Sequence, residues 1–294
     1  MSYVLTFVAG DPVNNPLTEE FPAFLQDKGY TLTGFDWLEP QMALDIFTEK
    51  NLPKSEIQNM RNLLMDAQID VFFMPVLGRR KKLLLADMDS TIVVGETLDE
   101  LAAFAGMQDR VAEITRRAMN GEIDFQDALR ERVGLLKTLS IDALEETASA
   151  IQIMRGAKEL VETLKDHDAK TVLVTGGFTY FADDIGAEVG FDFIHGNRLE
   201  IEDDLLTGFV IPPILDKNSK LSFLKEYTAK LGLDPSETLA IGDGANDLPM
   251  LEAAGLGIGY QCKELLKERL VNIIQHGDLR AVLYAQGYKN IASE

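Results

Sequence analysis

Short runs of consecutive apolar residues, KKLLLA at 81–86, TVLV at 171–174, TLAI at 238–241 and GLGIGY at 255–260, recur along the last two thirds of the chain. Amphipathic stretches such as LSFLKEYTAKLG and ELLKERL separate them. A continuous apolar run of this length reads as a strand buried on both faces of a parallel sheet, and its alternation with helices predicts an α/β core. VNIIQHGD adds a further strand of the same kind, whereas FDFIHGNRLEIEDDLLTGFVI breaks the rhythm and reads as a β-hairpin excursion. Between the first and second buried runs, residues 97–167 are almost wholly helical in pattern, as LDELAAFAG, QDRVAEITRRAMNG and DFQDALRERVGLLKTLS show. Residues 3–80 follow another rule. Short β-like runs (YVLTFVA, parts of YTLTGFDWLEP and MALDIFTE, DVFFMPVL) alternate with helical stretches around LTEEFPAFLQDKG and SEIQNMRNLLMDAQI, in the order β-α-β-β-α-β, which predicts a small α+β module.

The predicted organisation is therefore a module over 1–80 and a core over 81–294, with a helical cap over about 95–165 inserted after the first core strand. With 294 residues and 46% hydrophobic composition, the chain has enough material to bury such a core. Charge narrows the partners. Lys and Arg number 28 against 48 Asp and Glu, a net charge of -20 that repels a nucleic-acid backbone or an anionic membrane. No apolar run approaches the ~20 residues needed to span a bilayer, and MSYVLTFVAGDP lacks the pattern of a signal peptide. With Cys262 as the single cysteine there is no intrachain disulfide, and the expectation is a cytoplasmic protein.

Candidate chemistry sits where the buried strands end. KKLLLA runs into Asp87 and Asp89, TVLV into Thr175, Gly176 and Gly177, and TLAIG into Asp243, Gly244, Ala245, Asn246 and Asp247. In open parallel sheets ligands bind beyond the carboxyl ends of the strands, so three distant stretches converge on one place. The spacing of two aspartates carries nothing by itself, since Asp166 and Asp168 repeat it in the polar loop DHDAK; ending a buried strand is what distinguishes Asp87 and Asp89. Several carboxylates at one sheet edge call for a cation, and oxygen donors suit Mg²⁺. Gly242 and Gly244 are expected to let the backbone approach a small anion, to which Asn246 donates.

DMDST at 87–91, Thr175 with its two glycines, a lysine near 217–220, and GDGANDLPML at 242–251 resemble, in order, the four motifs of the haloacid dehalogenase superfamily. Glu96, the stretch ITRRAMNGEIDFQDALRERVGLLKTL and VTGGF are similar to the phosphoserine phosphatase family within it. The resemblance spans about residues 81–285 and implies a Rossmann-like parallel-sheet core with a helical cap, and hydrolysis of O-phospho-L-serine through an aspartyl-phosphate. A carboxylate approaching a phosphate dianion meets about 8 kcal/mol of repulsion at close range in an effective dielectric of about 20, so positive charge is obligatory. The family pattern implies Asp87 as nucleophile and metal ligand, Asp89 as acid/base with its backbone carbonyl on the metal, Asp243 as the remaining protein ligand, and Asp247 in an orienting role. It implies further that Thr175 and Gly176 hold the phosphoryl group together with a lysine. DKNSKLSFLKEY offers Lys217 and Lys220 for that part, and alignment of the helix favours Lys220.

Phe125 and Arg132 are seven positions apart and share a helix face. Arg132 is expected to clamp a carboxylate and Glu96 to pair with an ammonium, so that the two read an amino acid's zwitterion, with Met119 and Phe125 as apolar walls. His167, His195 and His276 lack metal-ligand spacing. The acidic group Glu200, Glu202, Asp203 and Asp204 reads as a solvated hairpin. The first module resembles ACT-like units, which implies packing or pairing of two copies into a homodimer; AGDPVNNPLTEEF lacks the glycines of an ACT ligand site. Two competing readings remain: another small phosphomonoester as substrate, and a phosphorylation-receiving signalling domain.

Overall fold

A computed structural model describes residues 2–10, 17–119 and 122–291, with the side chains of Met119 and Lys217 outside that description. AGDPVNNPLTEEF therefore lies partly outside the described residues, as does the side chain of Met119 proposed as a pocket wall.

The first module is built from β1 (Tyr3–Ala9), α1 (Phe21–Asp27), β2 (Gly34–Glu39), β3 (Ala43–Thr48), α2 (Lys54–Leu63) and β4 (Ile69–Pro75). Its four strands form an antiparallel sheet in the order β2-β3-β1-β4, a split β-α-β arrangement. Period-two alternation sends Leu5, Phe7, Leu44 and Ile46 into a cluster with α1 and α2, while Val4, Val8, Ala43 and Phe72 join the main core of the molecule. Both faces of this sheet are thus covered.

The second sheet has seven strands in the order β11-β10-β9-β5-β6-β7-β8. Its elements are β5 (Leu83–Ala86), β6 (Lys170–Phe178), β7 (Phe193–Glu202), β8 (Leu205–Ile211), β9 (Thr238–Gly242), β10 (Leu256–Tyr260) and β11 (Asn272–Ile274). All pairs are parallel except β7 with β8. In β5, Leu83 and Leu85 face one core cluster and Leu84 and Ala86 the other, which is why the run is apolar without alternation.

Helices α3 (Thr97–Phe104), α4 (Gln108–Met119), α5 (Phe125–Gly134) and α6 (Ile141–Ala150) form the insertion after β5. The chain enters and leaves it side by side, with Val93 bridged to Ile153 and the Val94 N–H donating to Gln152 O at 2.8 Å. α7 (Ala157–Asp166) then packs on β6 and on α8 (Thr179–Val189), so the insertion closes near residue 153, short of the 165 expected from the sequence. A helix packed on a sheet has the same 3.6-residue periodicity as one packed on helices, and pattern alone cannot separate them. The 191–211 segment also departs from expectation. β7 is no excursion: it continues the parallel sheet beside β6, with Val172 opposite Phe193, and only β8 turns back. The hairpin tip reaches the insertion, where Thr138 N–H donates to Leu206 O and Ile141 N–H to Asp204 O. The remaining helices, α9 (Lys217–Lys230), α10 (Leu248–Ala253), α11 (Glu264–Arg269) and α12 (Ala281–Ala285), complete the layers.

The two sheets are joined by buried polar contacts. Asn272 on β11 accepts from Phe73 N–H at 2.8 Å, and the buried Asp70 carboxylate accepts from the backbone N–H groups of Gln275, His276 and Gly277. Arg79 forms an ion pair with Asp45 of β3 and donates to the carbonyls of Tyr284 and Ala285. The first module is fixed to the core through one face of its own sheet and through its outer strand β4, which lies against β11.

Candidate active site

Strand order builds the site. Ala86 lies beside both Leu173 of β6 and Ile241 of β9, so the residues that follow, Asp87, Thr175 and Asp243, emerge together at the carboxyl edge where strand order reverses. Asp87 N–H donates to Ile241 O at 3.0 Å and holds that register past the end of β5.

Carboxylate oxygens of Asp87, Asp243 and Asp247 all lie within 4.8 Å of one another. Lys220, at the start of α9 and only 3% exposed, places its Nζ 2.5 Å from Asp87 Oδ1 and 2.5 Å from Asp247 Oδ1. Burial pushes the Asp87 carboxyl well above the usual carboxylate range, and the Asp247 charge adds to the rise while Lys220 opposes it. Burial disfavours the Lys220 charge, but the two carboxylates outweigh it and raise its pKa. Asp243 is raised as well, by burial first, against the pull of Lys263, whose Nζ lies 3.6 Å from it. This is the electrostatic signature of an acid cluster that suits a further cation, and its oxygen-only donor set fits a hard divalent ion.

Asp247 organises its own loop. Its Oδ2 accepts from the N–H groups of Asp243 and Gly244, and Asn246 Nδ2 approaches its Oδ1 at 3.4 Å. Gly242 and Gly244 have a use other than the expected approach of an anion. A Cβ on Gly242 would meet Asp247 Cγ at 2.5 Å, and one on Gly244 would meet Asn246 Oδ1 at 2.4 Å, so the missing side chains make room for these two residues.

Asp89 faces away from the acid cluster. Its Oδ1 accepts from the N–H and hydroxyl of Thr97, both at 2.8 Å, and its Oδ2 from the Thr175 hydroxyl at 3.0 Å. The carboxylate is pinned between the first turn of α3 and the end of β6, where the helix dipole favours negative charge. Thr175, expected to address a ligand directly, has its hydroxyl engaged by Asp89 and by Gly177 N–H at 2.8 Å. Thr97 was not legible as a partner from the sequence; its place two residues after Gly95 at a helix start is the one local signal. Ser90, with φ 55°, turns the chain back so that its hydroxyl donates to Glu96 Oε1 at 2.9 Å.

A cavity of about 810 Å³ joins these groups to the insertion. Asp87, Asp89, Gly176, Asp243 and Asn246 line its floor, and Glu96, Phe125 and Arg132 its roof. Phe125 reaches down to the β6 loop, its Cζ 3.4 Å from where a Cβ on Gly176 would stand. Arg132 Nε donates to Ala128 O at 3.3 Å, and among the described residues no carboxylate forms an ion pair with it. Its pKa is lowered by burial, against the opposing fields of Asp99, Glu96 and Asp89. Glu96 opens to solvent through the cavity mouth, yet desolvation, followed by the Asp89 charge, raises its carboxyl to about 7. Asp216 and Lys263 also line this cavity and carried no sequence signal. His167 and His195 stand elsewhere, bonded to Thr163 O and to the Tyr227 hydroxyl.

The haloacid dehalogenase-like hydrolase model matches residues 84–252, which hold the whole floor of the site. The chain belongs to the haloacid dehalogenase-like hydrolases. It is 46% identical over 202 residues to a phosphoserine phosphatase of Archaeoglobus fulgidus, across 68% of this chain and 59% of that one. A phosphoserine phosphatase of Streptococcus thermophilus is 44% identical over 203 residues, across 69% of this chain and 94% of the relative. The chain thus spans about 59% of the length of the archaeal relative. Among solved structures, a hydrolase of this family from Salmonella enterica serovar Typhi superposes with a TM-score of 0.87 at 27% identity and covers 97% of this chain and 98% of its own. The paired arrangement of both sheets is therefore shared beyond the core.

Proposed function

We propose that this protein hydrolyses O-phospho-L-serine to L-serine and phosphate. The single observation that carries the reading is the cavity itself: one cavity joins the buried Asp87, paired beneath it with Lys220, to a guanidinium, Arg132, that has no carboxylate partner among the described residues, with Glu96 on the same lining. Phosphate suits the floor, carboxylate suits Arg132 and ammonium suits Glu96, which together describe a phosphorylated amino acid. The phosphoserine phosphatases that match 40–46% of aligned residues support the same substrate.

Asp87, Asp243 and the backbone carbonyl of Asp89 are the assigned holders of Mg²⁺, which when bound supplies positive charge against the phosphoryl oxygens. Lys220 neutralises another oxygen, and the Gly176 amide and Asn246 donate to the same group. Asp87 Oδ attacks phosphorus in line as the bond to the serine oxygen breaks, and Asp89 gives its proton to the leaving oxygen. An aspartyl-phosphate remains on Asp87. Asp89 then takes a proton from water, which attacks phosphorus, releases phosphate and restores the Asp87 carboxylate. Thr175 and Thr97 keep Asp89 directed at the leaving group rather than at the acid cluster. Lys217 has no part in this scheme.

Phosphate release from a panel of phosphomonoesters with added Mg²⁺ tests the proposal. Preference for phosphoserine over sugar phosphates and phosphothreonine is the expected result, equal turnover of all would favour a general phosphomonoesterase, and a lasting phosphoprotein without phosphate release would favour a signalling receiver. For the first 80 residues the assigned role is packing, with pairing of two copies through the exposed outer strand β2 as the further reading, and sedimentation velocity reads it as a dimer or a monomer.

A further inference from the structure

We infer that Asn197 is a positioning residue of the phosphoryl site, setting the distance between the Gly176 loop and the segment that delivers Lys220. Asn197 lies on β7, is 1% exposed, and was absent from every motif in the sequence. Pairing of β6 with β7 breaks after Val174 and resumes where Phe178 meets Asn197, which leaves Thr175, Gly176 and Gly177 without ladder partners. That interruption frees the Gly176 backbone for a ligand, but it also strands the Gly176 carbonyl in the protein interior.

Asn197 Nδ2 donates to that carbonyl at 2.8 Å, and its Oδ1 accepts from Leu215 N–H at 2.7 Å. Only one orientation of the amide satisfies both, since a flip would set NH₂ against N–H and oxygen against oxygen. Leu215 is joined directly to Asp216, which caps α9 through Ser219, and Lys220 is the next residue. A single buried amide therefore spans two catalytic segments that are otherwise separated along the chain. The neighbouring Gly196 fits the same design: a Cβ there would stand 3.1 Å from Thr179 N and 3.2 Å from Thr175 Cγ2, so the loop can lie close over β7. Misplacing a phosphoryl contact by about 1 Å is enough to lower turnover by roughly 100-fold.

The inference rests on the phosphatase reading of the site, and two substrates keep the two apart. p-Nitrophenyl phosphate makes no demand on Arg132 or Glu96. A wild-type chain that turns it over but ignores phosphoserine sinks the substrate assignment and leaves Asn197 testable. In the full chain with Mg²⁺, Asn197→Asp keeps the acceptor for Leu215 and loses the donor to Gly176, while Asn197→Ser loses both. Expected for either variant is a fall in kcat/KM of about 10- to 100-fold on both substrates, with weaker inhibition by inorganic phosphate. A lowered Tm with unchanged kcat/KM and unchanged phosphate inhibition would make the residue merely structural and overturn the inference. Independently of folding of the variants, the side-chain amide signals of Asn197 in the wild-type chain should shift on titration with inorganic phosphate, and signals that stay in place through saturation overturn it too.

Discussion

The floor and the roof of the cavity are built on opposite principles. On the floor, Asp87, Lys220 and Asp247 are nearly or fully buried and already paired at 2.5 Å, and Asp89 has three hydrogen bonds from two threonines. On the roof, Arg132 has no ionic partner among the described residues and Glu96 opens to solvent. A reaction centre gains from groups held in place before substrate arrives, because fixed dipoles and charges need no reorganisation during the reaction. A selecting surface gains from charges left unsatisfied, since the right ligand then supplies what is missing and a wrong one leaves it unpaired.

The sharpest break in that contrast comes from the floor. Asp87→Asn should lower phosphate release by about 10⁴-fold or more with the fold retained by circular dichroism, and persistent turnover would remove Asp87 from its role. Lys220→Met should lower turnover and, by leaving Asp87 and Asp247 facing each other unscreened, cost about 3–5 kcal/mol in denaturant unfolding. Added Mg²⁺ should recover more stability in this variant than in the wild type, and equal recovery would mean that the ammonium and the metal do not share the cluster. On the roof, Arg132→Ala should raise KM for phosphoserine by roughly 100-fold and spare p-nitrophenyl phosphate, and a loss on both substrates would erase the division between the two surfaces. The smallest effect is the pH dependence. The Glu96 carboxyl, raised to about 7, keeps its proton to higher pH than an ordinary glutamate, and an ammonium needs the ionised form. KM for phosphoserine should therefore rise as pH falls through 7, by roughly tenfold between about pH 8 and about pH 6, and the step should vanish in Glu96→Gln.

The floor was more legible than the roof for a physical reason. A strand buried on both faces declares itself as an apolar run, and its end is marked by the first polar residues after the run, which is how Asp87, Thr175 and Asp243 stand out. Glu96 just before α3 and Arg132 on α5 stand among charged residues that look alike in sequence, and only the resemblance singled them out. Lys263 and Asn197 were invisible because each acts through a partner about 20 residues away, and Thr97 because nothing in the pattern says that the chain turns it back onto Asp89. The hairpin itself forms, β7 pairing antiparallel with β8, but local alternation cannot say that β6 lies beside β7 and makes it part of the main sheet.

By itself the sequence determined which segments become strands or helices and which residues stand at strand ends, since these follow from short-range periodicity and the cost of burying charge. The tertiary structure alone decided that Asp89 turns to Thr97 and Thr175, that Lys220 lies between Asp87 and Asp247, and that Asn197 bridges Gly176 to Leu215. Apart from the Asp89–Thr97 contact, which spans eight residues, those outcomes depend on strand order and on where crossovers return, and no short window of local sequence contains both members of such a pair.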